Sequence, residues 1–511
     1  MITVQHMYRK ILPSLCQNIQ ILGHKNRCLS TSIVLSRRRK DYEDEYIEVA
    51  PPPMMNPVKR TLNILKHDVR SIWDPDQPPL LKFSSHVDVL VIGGGIMGTA
   101  IAYYLKQRTG RSSFSVSVID KDPTYTKSST VLSLGGLRQQ FSLKENIQMS
   151  MFGADFLRRS RELLALDGVP PADIQYHPYG YLYLADEKGA AQLQENWLLQ
   201  KELGAEVELL GKEKLKERFP WINTDGIEVA CHGMENEGWF DAWAFLFGLK
   251  RKACELGTEY VESEVVGFKF EEDDGTIVAG MDHDEEHTAI KAAIVRTPTG
   301  ELKTIHFAYC IIAAGHESGN IAAMARIGRG EGMLSVPLPV EPRKRYVFCY
   351  NAPQGPSVPG LDCPMVIDPS GTYFRREGYA GHYVAGRAPP LEDVEPNVEN
   401  LDVDYTYFDK TVYPSLINRV PGFKNLKLNS GWAGYYDYNT FDENGIVGPH
   451  PYYPNIYFAC GFSGFGIQQA PGVARATMEM ILDGEFKTTD LTRFHFERFL
   501  VGKEIREKNV T

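Results

Sequence analysis

The stretch that most constrains the fold is 86–120, which opens HVDVLVIGGGIMGTAIAYYLKQ and closes on a second apolar run, FSVSVID. A run rich in β-branched residues, 87–92, predicts a buried strand, and dense apolar residues predict a buried helix over 96–107. Glycines spaced G-x-G-x-x-G between a strand and a helix permit a tight turn and close approach of the backbone to a pyrophosphate. The motif glycines are Gly93, Gly95 and Gly98.

Asp120 ends the second apolar run, where a carboxylate can accept hydrogen bonds from ribose hydroxyls. The N-terminus of the preceding helix offers unpaired N–H groups and a positive dipole end to phosphates. The alternatives are a tight turn in an ordinary α/β domain or a transmembrane span. Asp88 and four glycines within the apolar run argue against the span. The stretch therefore predicts a dinucleotide-binding domain.

Composition limits the classes of function. A chain of 511 residues, 43% hydrophobic, can bury a large core and predicts two domains. The net charge of −10 gives no basic footprint, so we expect no nucleic-acid partner. Eight scattered cysteines without a C-x-x-C indicate free thiols in a reducing compartment. His283 and His287 lie among carboxylates in 271–287, but we interpret that stretch as a solvated loop and expect no metal.

The first 85 residues differ from the rest. Residues 1–40 hold eight Lys or Arg and no Asp or Glu, which is typical of a mitochondrial transit peptide; the alternative is a disordered basic tail. We therefore expect the protein in the mitochondrial matrix. Residues 41–85 predict a linker with an amphipathic helix that packs on the chain's own body or docks to a partner or the inner-membrane surface. We expect no transmembrane span. The apolar stripe consists of Val58, Leu62, Leu65, Val69 and Ile72.

Three later stretches place small residues where a flat ligand would approach the backbone. Residues 128–136 are rich in Ser and Gly and precede Arg138, and 308–315 reads AYCIIAAG. Residues 455–482 predict a strand, a Gly-rich turn and a helix, with Pro471 in the first two helical turns, where a missing N–H costs least. Between them, segments in 343–387 alternate as strands of an antiparallel sheet, which is the expected second domain.

With these motifs in this order, the chain resembles the D-amino-acid oxidase superfamily over 87–482, and within it the sarcosine/dimethylglycine dehydrogenase and glycine oxidase group. The resemblance implies an α/β fold in which a doubly wound, Rossmann-type FAD domain is interleaved with a mainly antiparallel-sheet substrate domain. The expected division is 1–40 transit peptide, 41–85 linker, 86–160, 225–335 and 425–490 FAD domain, 161–224 and 336–424 substrate domain, and 491–511 C-terminal tail.

The resemblance also implies how FAD is held. A helix N-terminus at the flavin's pyrimidine ring would stabilise the negative charge that develops there on reduction. The implied contacts are Gly93, Gly95 and Gly98 to the pyrophosphate, Asp120 to the adenosine ribose, Ser128, Ser129 and Gly136 along the ribityl chain and flavin edge, Val265 on the adenine side, Ala314 and Gly315 over the pyrophosphate, and Gly464, Gly466 and Ile467 at the pyrimidine ring.

The chain departs from its relatives at two kinds of position. Where some relatives attach the flavin covalently through His or Cys, this chain has Ser133 and Tyr435, so we predict non-covalent FAD. Oxidase relatives place an oxygen-activating Lys in the segment that matches 381–387, and no Lys is present there. We therefore expect a slow reaction with oxygen and transfer of electrons to another acceptor.

A small amine or amino-acid substrate would need an Arg fork for its carboxylate. Arg138 stands where relatives carry such an Arg and is the first catalytic candidate, with Tyr435 and His382 as pocket-lining candidates. Arg375 and Arg387 are alternatives for the Arg role. For each Arg, the competing interpretation is a surface or inter-strand ion pair.

Two functions remain open. The strings GGLRQQFS, PRKRYVF and CGFSGFGIQQAP resemble a mitochondrial member of the superfamily that is an assembly factor for respiratory complex I. That resemblance implies complex I subunits or assembly intermediates as partners, and the absent Lys and covalent anchors favour it modestly. The alternative is an active FAD-dependent dehydrogenase of a secondary amine or amino acid.

Overall fold

The computed structural model describes residues 83–273, 287–390 and 394–508, with two isolated helical residues, Leu62 and Lys66. The predicted transit peptide and most of the amphipathic segment lie outside this part. The strands are β1 His86–Ile92, β2 Val116–Asp120, β3 Gly136–Leu137, β4 Tyr181–Ala185, β5 Val207–Gly211, β6 Val229–Gly233, β7 Gly238–Trp239, β8 Glu259–Glu262, β9 Glu264–Glu272, β10 Thr288–Arg296, β11 Leu302–Ile312, β12 Val340–Asn351, β13 Met365–Ile367, β14 Thr372–Glu377, β15 His382–Arg387, β16 Lys427–Asn439, β17 Ile446–Pro449 and β18 Ile456–Cys460.

The helices alternate with these strands in the first part of the chain, as a doubly wound fold requires. They are α1 Ile96–Thr109, α2 Lys144–Arg158, α3 Ser160–Leu163, α4 Ala190–Glu202, α5 Lys212–Arg218, α6 Ala242–Glu255, α7 Ser318–Met324, α8 Tyr405–Tyr407, α9 Tyr413–Arg419, α10 Gly466–Asp483 and α11 Glu497–Leu500.

The first sheet has the order β17-β18-β11-β1-β2-β8, and the antiparallel strands β10 and β9 branch from β11. Strands β18, β11, β1, β2 and β8 pair in parallel. The β1 side chains are buried on both faces: Val89 and Val91 belong to one apolar core with residues of α1, α6 and α10, and Leu90 to a second core with residues of β9 and β10. A parallel sheet covered on both faces confirms the predicted Rossmann-type fold.

The second sheet has the order β16-β12-β15-β14-β13-β4-β6-β5 and is antiparallel except between β13 and β4. Its pairing corrects two predicted boundaries, because β6 and β16 lie within segments assigned to the FAD domain. Cys231 of β6 pairs with Tyr183, and Trp432 of β16 pairs with Val347. Such pairs join residues that are far apart in sequence, so a local pattern does not reveal them.

The region predicted as a C-terminal tail from 491 onward also differs from expectation. Ile505 is 3% exposed and its N–H donates to Asp442 Oδ2 at 3.2 Å. The Arg498 guanidinium forms an ion pair with the same buried carboxylate at 2.8 Å. Residues 491–508 are therefore anchored to the folded body of the protein and do not form a free tail. Across the described residues, none of the helices combines the length and apolar character that crossing a bilayer requires.

Candidate functional site

The first glycine turn packs directly on the end of β11. Gly93 has φ +108°, and a Cβ there would lie 2.3 Å from the carbonyl oxygen of Ala313. A Cβ on Gly98 would lie 2.0 Å from the carbonyl oxygen of Gly93. Only glycine allows α1 to begin this close to the sheet, which brings its free N–H groups to the edge where β1 and β11 end.

Unlike Gly93 and Gly98, Gly95 borders an open space, here called the cradle, and does not contact other backbone atoms closely. A Cβ there would lie 3.3 Å from Thr130 Oγ1 and 3.8 Å from Ser128 Oγ, so the space beside the turn is bounded by hydroxyl groups. Thr130 Oγ1 accepts a hydrogen bond from Ile96 N at 3.1 Å. The buried Ser129 hydroxyl has no hydrogen-bond partner among the described residues. Hydroxyls around free helix N–H groups suit a pyrophosphate.

Asp120 is held in place by the backbone. Its Oδ2 accepts from Gly94 N at 2.7 Å and its Oδ1 from Asp122 N at 2.8 Å. Burial raises the pKa of this carboxyl above its ordinary value, although the two N–H donors oppose the shift. Each oxygen keeps a lone pair, so both can still accept from ribose hydroxyls.

The second glycine turn joins β18 to α10. Gly464 has φ +101°, and a Cβ there would lie 2.6 Å from the Tyr436 ring. Asp437 Oδ2 accepts from Gly461 N at 2.8 Å and Phe462 N at 3.1 Å, which fixes the turn to β16. Burial raises the pKa of the Asp437 carboxyl to about 6. The turn therefore presents the N-terminus of α10, starting at Gly466, to the same space as the first turn.

One cavity of about 600 Å³ joins the two turns. Gly98 lies outside it, beneath the first turn. The predicted FAD contacts that line it are Gly93, Gly95, Asp120, Ser128, Ser129, Gly136, Val265, Ala314, Gly315, Gly464, Gly466 and Ile467.

Arg138 lies in this cavity inside an aromatic enclosure. Its guanidinium carbon is 4.7 Å from the ring centres of Phe141 and Phe465 and 5.1 Å from that of Tyr183. The side chain is buried, and its Nε and Nη2 have no hydrogen-bond partner among the described residues. Burial lowers the Arg138 pKa from its ordinary value. A buried donor fork without an acceptor is costly, which fits a site that an anionic ligand completes.

Of the other two catalytic candidates, one lines the cavity and one does not. Tyr435 lines the cavity, and its hydroxyl donates to the Val398 carbonyl at 2.7 Å. His382 does not belong to the site. It is exposed at the first position of β15, between Asn351 of β12 and Glu377 of β14, and it does not line the cavity. That candidate was wrong.

Arg375 and Arg387, the alternatives to Arg138, are not among the cavity-lining residues. Arg375 is buried, but it forms an ion pair with Glu377 and lies 4.9 Å from the Trp239 ring centre. It therefore has the structural role that was the competing interpretation.

Sequence reasoning missed several lining residues. The His316 ring lies 4.7 Å from the Tyr435 ring, and burial lowers the pKa of His316 to about 4, so the imidazole is neutral at physiological pH. Gln468, in the first turn of α10, accepts from Arg138 N at 2.7 Å. The carboxamide of Gln468 could have been noticed from its place in the terminal Gly-rich string, whereas nothing local marks His316.

Ser133 and Tyr435 both line the cavity, at the positions where some relatives attach flavin. The lining lysines, Lys121 and Lys127, lie at the end that contains Asp120, and none of 381–387 lines the cavity. Non-covalent FAD and slow reaction with oxygen remain predictions. Within the described residues, no group of three or more His, Cys, Asp and Glu side chains is placed to hold a metal ion.

These features define a dinucleotide-binding fold with one cavity between two glycine turns, and comparison with known proteins identifies its family. The family model described as FAD dependent oxidoreductase (DAO) matches residues 88–480, and the chain belongs to this family. FAD is accordingly its cofactor. The predicted resemblance to the D-amino-acid oxidase superfamily is confirmed.

Three relatives illustrate the range of similarity. FAD-dependent oxidoreductase domain-containing protein 1 of Bos taurus is 45% identical over 470 residues, which cover 87% of this chain and 92% of the relative. Glycine oxidase of Bacillus subtilis is 25% identical over 421 residues, covering 81% and 98%. The crystal structure of L-proline dehydrogenase from P. horikoshii superposes with a TM-score of 0.67 at 24% identity, covering 83% of this chain and 100% of that chain.

Proposed function

We propose that this chain is a mitochondrial FAD-dependent oxidoreductase that acts in the assembly or stability of respiratory complex I (NADH dehydrogenase). The basic, acid-free first 40 residues support mitochondrial import, and the strings GGLRQQFS, PRKRYVF and CGFSGFGIQQAP support the role in complex I. Each string contributes residues to the FAD cavity, among them Arg138, Arg345 and Gln468. The proposed partners are complex I subunits or assembly intermediates in the matrix or at the inner-membrane surface.

A rescue experiment in cells lacking the protein tests this function. Gly95→Val would fill the cradle beside Thr130 and exclude the pyrophosphate, without a clash with backbone. Gly211→Ala is the matched control, because Gly211 is exposed and the nearest atom to its added Cβ is 4.0 Å away. We expect wild type and Gly211→Ala to restore assembled complex I and Gly95→Val to fail. Full rescue by a Gly95→Val protein shown to lack FAD would contradict a flavin-dependent role.

Localisation has its own test. Deleting residues 1–40 removes the proposed import signal and none of the residues that the structure describes. The full chain should fractionate with matrix markers, and the shortened chain should remain in the cytosol. Mitochondrial recovery of the shortened chain would overturn the proposed signal.

A second candidate function, oxidation of a secondary amine or amino acid, is favoured by one observation: the buried Nε and Nη2 of Arg138 have no hydrogen-bond partner among the described residues. FAD supplies uptake of hydride from the C–H bond beside the substrate nitrogen. Arg138 would bind the substrate carboxylate, and the surrounding Phe141, Tyr183 and Phe465 rings would exclude water and strengthen that contact. The protein itself would bind the substrate, orient it and remove water from around it.

An anaerobic panel of amines and amino acids, followed by loss of flavin absorbance, tests catalysis. Rapid bleaching by a carboxylate-bearing amine, weakened in Arg138→Lys because the bidentate fork is lost, would establish the dehydrogenase. No bleaching across the panel would leave the complex I role without a catalytic component.

A further inference from the structure

Residues 138–143, here called the Arg138 turn, connect β3 to α2 and are held by side chains from distant parts of the chain. Gln139 N donates to Glu237 Oε1 at 2.7 Å. Ser142 N and Leu143 N donate to the two oxygens of Glu507, at 2.6 and 3.2 Å. Together with the bond from Arg138 N to Gln468, these contacts supply the turn with acceptors that it lacks locally.

Glu507 meets four converging donors. Besides the two backbone N–H groups, the Ser142 hydroxyl and the Asn146 amide donate to its carboxylate, the latter at 2.6 Å. All four donors are neutral, and both carboxylate oxygens accept. Only a carboxylate satisfies four donors in this way, because the amide of a glutamine would turn two donor hydrogens toward them.

The segment that carries Glu507 is itself anchored. Ile505 is buried, Lys508 N donates to Ser142 Oγ at 2.8 Å, and Asn196 of α4 donates to the Lys508 carbonyl at 3.0 Å. The backbone around Glu507 is therefore held in place by burial and hydrogen bonds.

The Glu507 contacts lead toward Arg138 through the Arg138 turn and toward the first turn of α10 through Asn146. Phe141, which directly precedes Ser142, contacts the Arg138 guanidinium. Asn146 accepts from Gln469 in the first turn of α10 at 3.1 Å. Glu507 itself is not among the cavity-lining residues. We propose that Glu507 is a positioning residue that holds the Arg138 turn in its carboxylate-binding conformation from outside the pocket.

This proposal rests on the carboxylate-binding role proposed for Arg138, and one titration separates the two. FAD-loaded protein is titrated with benzoate and with its neutral analogue benzamide, and binding is followed by the flavin absorbance. We expect Glu507→Gln to weaken benzoate at least fivefold, with FAD content and benzamide response unchanged. Ser142→Ala, which removes one donor to Glu507 and the acceptor of Lys508 N without adding a buried polar group, should weaken benzoate about threefold. Glu504→Gln, an exposed change in the same segment, should leave it within twofold.

The outcomes are distinct. Failure of the wild-type protein to bind benzoate would overturn the role of Arg138. Wild-type binding that Glu507→Gln leaves within twofold would overturn the role of Glu507 alone, and equal weakening of benzamide would reduce Glu507 to a general structural residue. Deuterium exchange of the FAD-loaded protein gives a readout that needs no ligand: peptides covering 138–146 should exchange faster in Glu507→Gln than in Glu504→Gln, and equal exchange would contradict the proposal.

Discussion

The guanidinium of Arg138 lies 4.7 Å from the centre of the Phe465 ring, and Phe465 directly precedes the helix that begins at Gly466. One short segment therefore forms a wall of the anion pocket and the start of the helix predicted to face the flavin. This contact couples the site that would bind substrate to the site that holds the cofactor.

Replacing Arg138 by Met should abolish carboxylate binding and retain FAD, because Arg138 supplies the unpaired donors and none of the predicted contacts to the pyrophosphate. Loss of a charge-assisted bidentate contact predicts a weakening of benzoate by roughly tenfold or more. A flavin absorbance titration measures it. Arg218→Met, on an exposed Arg paired with Glu208, is the control. Unchanged benzoate affinity in Arg138→Met would rule out the assignment.

Substitutions at the motif glycines Gly95 and Gly98 should have different effects. Gly98→Ala places a Cβ 2.0 Å from a backbone oxygen and should destabilise the fold, which circular dichroism at rising temperature would show. Gly95→Val should give a folded protein without bound FAD. If Gly95→Val purifies yellow with one FAD per chain, the cradle beside Thr130 is not the pyrophosphate site.

Glu237 should make stability depend on pH. Burial raises the pKa of its carboxyl to about 7 from an unperturbed 4.5, so the folded protein binds this proton more tightly than the unfolded chain. The resulting stabilisation is complete below about pH 4.5 and is lost as the pH rises through 7. Glu237→Gln has no carboxyl proton to lose, so wild type should lose on the order of 2 kcal/mol of unfolding free energy relative to Glu237→Gln between pH 5 and pH 8.

The comparison is made by urea unfolding at pH 5, 6, 7 and 8 on FAD-free protein. The stability of wild type should fall relative to that of Glu237→Gln from pH 5 to pH 7 and change little above pH 7. Exposed Glu235→Gln is the control and should follow wild type throughout. Parallel profiles for wild type and Glu237→Gln would show that this carboxyl has an ordinary pKa.

FAD should dissociate on acid precipitation, because Ser133 and Tyr435 occupy the positions of the covalent anchors and form no such link. All of the flavin absorbance should appear in the supernatant. Flavin retained in the washed pellet would identify another attachment point.

The parts of the fold that the sequence predicts well are those determined locally. The turn at Gly93 and the helix from Ile96 follow from neighbouring residues, and both appear as expected. The enclosure of Arg138 cannot be predicted in this way, because Tyr183 of β4 and Phe465 of the turn before α10 are distant from Arg138 in the sequence. The register of β15, which removes His382 from the site, depends on long-range pairing in the same way.

Residues 491–508 give a second example of contacts that the sequence alone does not reveal. The prediction for this segment is a C-terminal tail, but Ile505 is buried and Glu507 receives donors from α2 and the turn before it. The donors to Glu507 are more than 300 positions away in the chain, so only the folded structure brings them together.

The central claim is that one FAD spans the cavity from Asp120 to Ile467 with its ring system beside Arg138. A crystal structure of the FAD-loaded protein tests it most directly. The account predicts the adenosine ribose on the Asp120 carboxylate, the pyrophosphate over Gly95 and the pyrimidine ring at the N-terminus of α10. A flavin in the reverse orientation, or bound with its ring system away from Arg138, would contradict it.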